Sequence, residues 1–168
     1  MTQTPSPYPA GLTVDPAKPG DLVEQFHATY SMPNRLADGA APTLDIDRID
    51  MRIALIAEEF AELIGAVYGN AARGVIEESL VKSRDVKSGS GDVVEAADAL
   101  ADMIYVIYGM ALECGINLDA VLAEVQASNL SKLMPDGTVR LREDGKVLKG
   151  PNFFPPNVRR ALGLDDSH

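Results

Sequence analysis

From Val93 to Leu112 the chain carries only three charged side chains, Glu95, Asp98 and Asp102, and every other position is Val, Ala, Leu, Met, Ile, Tyr or Gly. A stretch this long and this apolar, opened by Asp92 as a capping residue, predicts a long helix that is covered on most sides. Advancing about 100° per residue from Asp98 puts Asp102 at about 40° and Glu95 at about 60°, so the three acids project from one arc. Burying one unpaired carboxylate costs several kcal/mol, and neighbouring ones repel. The expectation is therefore a buried acidic arc that needs a cation.

A second helix, from Asp45 or Asp47 to Tyr68, repeats the theme. Ile49, Ile53, Ile56, Phe60, Leu63, Ile64 and Val67 recur at helical spacing, and Glu58, Glu59 and Glu62 share an arc away from Ile49, Ile53, Ile56, Phe60 and Val67. By themselves these glutamates read as a solvated helix face. Neither this helix from Ile53 to Gly69 nor the segment Val93–Leu112 holds a basic residue. Carboxylates without His or Cys suit Mg²⁺, with Mn²⁺ able to substitute, far better than zinc. Two such helices can pinch one or two octahedral ions between them.

The remaining elements are read from punctuation. Asp21 caps a helix to about Ser31, Ala72 to Asp85 forms a third, and Asp119 to Lys132 a fifth. A Ser-Gly loop spans 88–91. Thr138–Arg142 and Lys146–Lys149 flank Glu143-Asp-Gly145 and read as a β-hairpin with an Asp-Gly turn. An extended Pro-rich tail, 151–156, comes next, with a short closing helix from Asn157. Residues 1–20, rich in Pro, Thr and Ser, read as a flexible arm without a secretion signal. The fold class expected is all-α, a four-to-five-helix bundle with a small C-terminal β-hairpin, in one domain from 21 to 168. No solenoid repeat is visible.

The chain of 168 residues has 46% apolar residues and a formal charge of −10. The charge argues against nucleic acid and anionic membranes as partners. The apolar run Met103–Leu112 is about half a bilayer-spanning length. Cys114 is the single cysteine, which excludes an internal disulfide and suits a reduced, cytoplasmic protein. Of the two histidines, His168 is terminal and without a role, and His27 sits beside Phe26 where it can pack or touch a base. Tyr105 and Tyr108 flank the acidic arc, where they either pack in the core or touch a ligand.

Glu58-Glu59-x-x-Glu62 followed by Glu95-x-x-Asp98 resembles the signature of the all-α NTP pyrophosphatases, the superfamily of MazG proteins, phosphoribosyl-ATP pyrophosphohydrolases and dimeric dUTPases. The phosphoribosyl-ATP pyrophosphohydrolase-like, MazG-like branch is similar also in Asp98–Asp102 with the run to Gly109, in Ser128–Lys132 and in Glu143–Asn152. The resemblance covers roughly Asp47 to Pro156. It departs at Ala99, where many MazG-type sequences place a glutamate. The resemblance implies a Mg²⁺-dependent hydrolase cutting a nucleoside triphosphate to monophosphate and pyrophosphate. Metal would be held among Glu59, Glu62, Glu95, Asp98 and Asp102, and water would be oriented by Glu58 or Glu59. Substrate contacts would come from Asn129, Lys132 and Lys149, with Tyr105 and His27 as further candidates. A homodimer is implied as well. The alternatives are phosphoribosyl-ATP pyrophosphohydrolase of histidine biosynthesis and a non-catalytic helical dimer that binds metal or nucleotide.

Overall fold

The structure is a computed structural model describing residues 13–86, 91–143 and 145–164. Among the described residues six helices succeed one another: α1 Pro19–Thr29, α2 Ile49–Tyr68, α3 Asn70–Asp85, α4 Val93–Glu113, α5 Leu118–Leu130 and α6 Val158–Ala161. The all-α expectation holds. Two compact units are distinguishable, Met1–Ala41 with Ala101–His168, and Pro42–Leu100. No single described helix is long and apolar enough to cross a membrane.

Several helix starts differ from expectation for local reasons. Pro19 occupies the start of α1, where its fixed φ is preorganised and its missing N–H costs nothing, so Asp21 lies in the first turn rather than at the cap. The segment ahead of α2 is used up in turns: Thr43 Oγ1 accepts from the Asp45 amide at 3.0 Å, and the Ile49 amide donates to the Ile46 carbonyl at 3.1 Å, which postpones α2 to Ile49. α5 starts at Leu118, one residue before the expected Asp119, because Asn117 caps it by accepting from the Ala120 amide at 3.1 Å. Asp92 caps α4 as expected, accepting from the Val94 and Glu95 amides at 2.8 and 3.2 Å. Most of the 1–20 arm, the Ser-Gly loop up to 90, Asp144 and His168 lie outside the described residues.

In the unit Pro42–Leu100, α2 and α3 form a helical hairpin joined by one residue. Gly69, at φ 94, ends α2 and starts α3, a conformation that side-chain-bearing residues rarely adopt. Ala61 is the buried residue of α2, and α3 has none.

The other unit is organised around α5. Ala123, Glu124, Gln126 and Ser128 are buried, and the polar three grip backbone on either side. Gln126 Nε2 donates to the Leu22 carbonyl at 3.0 Å and to Gln25 Oε1 at 2.8 Å, tying α1 down. Glu124 accepts from the Asn157 amide at 3.2 Å and from Arg160 Nε at 2.8 Å, tying α6. Ser128 Oγ donates to the Phe154 carbonyl at 2.8 Å, and Ser131 Oγ accepts from the Phe154 amide at 3.1 Å, tying the extended tail. Tyr30 is the largest fully buried side chain among the described residues, and its hydroxyl donates to the Asn129 carbonyl at 2.7 Å and to the Leu130 carbonyl at 3.2 Å. It closes the C-terminal end of α5, where carbonyls lack helical partners.

Two expectations are corrected. The C-terminal β-hairpin reduces, among the described residues, to one antiparallel bridge, Leu141 with Val147. The Arg142 amide donates to the Lys146 carbonyl at 2.8 Å and the Leu148 amide to the Arg140 carbonyl at 2.9 Å, but no further strand joins and Leu141 and Leu148 stay exposed. Two strands without a covered apolar face are marginal in water. The second correction concerns α4: its own chain does not bury it. Val94, Leu100, Met103, Ile104, Val106, Ile107, Met110 and Leu112 are exposed, and Ala111 is the buried residue of the helix. Ile53, Ile56, Phe60, Leu63 and Val67 of α2 are exposed too. Periodicity identified the apolar faces but not their exposure in the single chain.

Tyr30 provides a stability test. Burial raises its hydroxyl pKa above the ordinary value near 10, with hydrogen bonds from the Leu133 and Lys132 backbone pulling the other way. Because the folded-state pKa is the higher one, this contribution is intact below about pH 10 and lost as pH rises through the folded value. Tyr30→Phe is expected to lower unfolding stability by about 1–2 kcal/mol at neutral pH and to weaken the alkaline loss of stability. Denaturant melts at pH 7 and above pH 10 measure both effects.

Candidate active site

Glu58, Glu59 and Glu62 of α2 and Glu95, Asp98 and Asp102 of α4 are all exposed. The premise that the α4 acids are buried is therefore corrected, and with it the requirement for a cation imposed by burial within one chain. Among the described residues no three Asp, Glu, His or Cys side chains stand together closely enough to hold one ion. The donor chemistry nevertheless suits a hard divalent ion: six carboxylates, all open to solvent, and no imidazole or thiolate among them.

The acidic arc of α2 does meet a cation, from a helix the sequence reasoning did not pair with it. Arg73 of α3 reaches Glu62 with Nη2 to Oε1 at 3.4 Å, and its Nε donates to Glu77 Oε1 at 2.7 Å. The Glu77 hydrogen bond, followed by the charges of Glu77, Glu62 and Glu58, raises the guanidinium pKa and outweighs its desolvation. The aliphatic stem of Arg73 lies across Gly65, where an added Cβ would stand 3.1 Å from Arg73 Cβ. The signal was present in sequence as Arg73 and Glu77 at i, i+4, but its meaning depended on the Gly69 turn that folds α3 back on α2.

The substrate candidates occupy the end of α5 and the segment beyond it. Lys132 Nζ donates to Asn129 Oδ1 at 2.7 Å, so these two are brought together. The Gly150 amide donates to the Lys132 carbonyl at 3.0 Å, which brings the backbone next to Lys149 alongside. Lys149 Nζ itself sits 4.2 Å from the Phe153 ring centroid, a cation–π contact. His27 Nδ1 is 2.8 Å from the Pro33 carbonyl, a contact that fastens the loop after α1. Tyr105 is 82% exposed and so does not pack in a core of its own chain. Tyr108 is the half-buried one of the pair, its hydroxyl donating to Asp119 Oδ1 at 3.0 Å. It borders a cavity of about 320 Å³ lined also by Ala111, Leu112, Ile116 and Leu118.

Sequence reasoning missed Gln126, Glu124 and Ser128, which fix α1, α6 and the tail around the Asn129–Lys132 end. Their signal was three polar residues two apart, alternating with Ala123, Val125 and Ala127 in the middle of the helix. Gly150 was missed as well. It is buried, and a Cβ there would fall 2.5 Å from the Leu133 carbonyl oxygen and 2.9 Å from that of Lys132.

A profile of the phosphoribosyl-ATP pyrophosphohydrolase family matches residues 23–129, well over half of the chain. The chain belongs to that family. The matched span contains all six carboxylates and ends on Asn129, so Lys132 and Lys149 lie beyond it. The chain is also similar to a crystal structure of a protein from Exiguobacterium sp. 255-15 assigned as an NTP pyrophosphohydrolase, at 28% identity and a TM-score of 0.63, covering 87% of this chain and 93% of that one. Among curated proteins none matches. Family and structural neighbour together support a pyrophosphohydrolase, the all-α MazG-like class to which the acidic motifs pointed.

The close seat of Gly150 makes a prediction about this end of α5. Gly150→Ala must push the tail off the Lys132 and Leu133 carbonyls, an overpacking cost of about 1–3 kcal/mol. A lowered melting temperature with unchanged helix content by circular dichroism is the expected result.

Proposed function

We propose that the chain is a Mg²⁺-dependent nucleoside triphosphate pyrophosphohydrolase, converting a (d)NTP and water to (d)NMP and pyrophosphate and serving nucleotide-pool house-cleaning in the cytoplasm. The observation that carries this reading is the set of six solvent-open carboxylates on α2 and α4 inside the family-matched span. Glu59, Glu62, Glu95, Asp98 and Asp102 would hold Mg²⁺, with Mn²⁺ as a substitute. When bound, the ion neutralises triphosphate charge and lowers the pKa of water. Glu58 or Glu59 takes the proton of the attacking water, whose oxygen bonds to phosphorus as the α–β anhydride breaks and pyrophosphate leaves. Lys132 and Lys149 offset the charge growing on that leaving group, with Asn129 holding Lys132 in place. Tyr105 and His27 are the side chains proposed to meet the rest of the nucleotide. Ala99 supplies no carboxylate, so Asp98 or Glu95 serves where related sequences use a glutamate at that position.

The protein acts as a homodimer in this reading. Support comes from the apolar faces of α2 and α4, exposed in the single chain and carried by the same helices as the carboxylates. Charged substitution at Ile104 or Ile107 is expected to shift the chain toward monomer in light-scattering chromatography and to lower activity with it.

The family match favours a second reading, hydrolysis of phosphoribosyl-ATP in histidine biosynthesis. A panel of common and damaged (d)NTPs beside phosphoribosyl-ATP, each with Mg²⁺ or Mn²⁺, separates the two by where turnover is highest. Tight NTP binding without pyrophosphate release from any member would instead point to a non-catalytic nucleotide-binding dimer. Glu59→Gln and Asp102→Asn are each expected to cut pyrophosphate release by about 10²-fold or more while the fold is kept. Full activity in both would falsify the site.

A further inference from the structure

Three observations in the α2–α3 hairpin bear on how the acidic arc is managed. Arg73 touches two acids at once, Glu62 through Nη2 at 3.4 Å and Glu77 through Nε at 2.7 Å. Its stem is seated on Gly65, the position on α2 where a Cβ would press on it at 3.1 Å. The Glu62 contact is the longer of the two and is exposed, with 37% of the Arg73 side chain and 51% of Glu62 open to solvent. An ion pair of that kind is worth little and exchanges readily.

We propose that Arg73 is a positioning residue that occupies Glu62 in the metal-free protein, yields it to the divalent ion, and is retained afterwards by Glu77. The proposal rests on the reading of Glu62 as a metal ligand. The guanidinium is suited to this because its fork can bond one acid through Nε and another through Nη2, whereas an ammonium is a single point charge. While the ion is absent, Arg73 relieves the repulsion between Glu58 and Glu62. When the ion arrives, the weaker contact is exchanged and the stronger one, within α3, keeps the arginine folded back on Gly65. The metal-free arc is thus held together at small cost, and the affinity for metal is set partly by a residue that never touches the ion.

The test is Mn²⁺ binding to the metal-free, full-length protein, followed by the electron paramagnetic resonance signal of the free ion, with circular dichroism as the check on folding. Arg73→Gln is expected to tighten binding by about two- to five-fold, the equivalent of one exposed ion pair. Lys82→Gln removes a cation of the same helix, whose Nζ is paired to Glu78 at 2.6 Å, and is expected to leave Mn²⁺ binding unchanged. Arg73→Lys keeps the charge and loses the fork, so it should also tighten binding. If Arg73→Lys binds as the wild type does, or if Lys82→Gln tightens binding as much as Arg73→Gln, the effect is one of net charge and the proposal is overturned. Glu62→Gln separates this outcome from a failure of the site: wild-type Mn²⁺ binding in that variant removes Glu62 as a ligand, whereas weakened binding there beside unchanged binding in Arg73→Gln removes the role of Arg73 alone.

Discussion

The unit that contains α5 depends on polar side chains that leave one helix and end on the backbone of another. A helix lined only with apolar residues can slide or rotate against its neighbours at modest cost, because dispersion and burial have no direction. Hydrogen bonds have direction, and a buried donor or acceptor that misses its partner costs about 1–3 kcal/mol. Gln126 on the Leu22 carbonyl, Ser128 on the Phe154 carbonyl and the Tyr30 hydroxyl on the Asn129 carbonyl therefore set registers between segments about a hundred or more than twenty residues apart. Glu124 does the same with charge, accepting from Arg160 and from the Asn157 amide. The result is that the C-terminal end of α5 and the residues just beyond it are held by three contacts: the Tyr30 hydroxyl on the Asn129 carbonyl, Phe154 of the tail on Ser128 and Ser131, and Gly150 against the Lys132 and Leu133 carbonyls.

Charge on α2 poses the opposite problem, since there the side chains must remain open to solvent. Like charges at i, i+3 and i, i+4 destabilise a helix by a few tenths of a kcal/mol per pair, a cost small enough for local structure to absorb. Arg73 absorbs it from the neighbouring helix, and the one-residue Gly69 turn is what makes the reach possible. Placing the compensating cation on α3 rather than on α2 itself leaves the acidic arc uninterrupted, as the proposed site for a hard cation and a polyanionic substrate would require.

The helices were legible because apolar spacing, Asp92, Gly69 and the prolines act locally. Their starts moved by a few residues where side chains such as Thr43 and Asn117 created turns or caps that composition does not rank. The C-terminal hairpin was misjudged because an Asp-Gly turn between alternating residues specifies a tendency to pair, while persistence of strands depends on a covered face that Leu141 and Leu148 do not have. The placement of the six carboxylates on α2 and α4 was legible for the same reason as the helices: i, i+3 and i, i+4 spacing fixes the arc. Their exposure was not, because apolar spacing marks a face without saying whether the chain itself covers it. Arg73, Gly150 and the α5 clasps were invisible to periodicity because each depends on a tertiary approach between segments distant in sequence.

Coverage also decides what the acids need. Burial of the α4 carboxylates would demand a compensating cation, and in the single chain that burial is absent: Glu95, Asp98 and Asp102 are solvated, and three solvated carboxylates need no metal to be stable. The same helix, however, exposes Ile104, Val106, Ile107 and Leu112, far more apolar surface than a free helix face keeps without a partner. If those residues are covered, the acids between them lose water too, and the penalty that favours a bound cation returns with the covering surface. In the proposed dimer, metal binding and association of the chain would then be linked equilibria, each strengthening the other through the dielectric around Asp98 and Asp102.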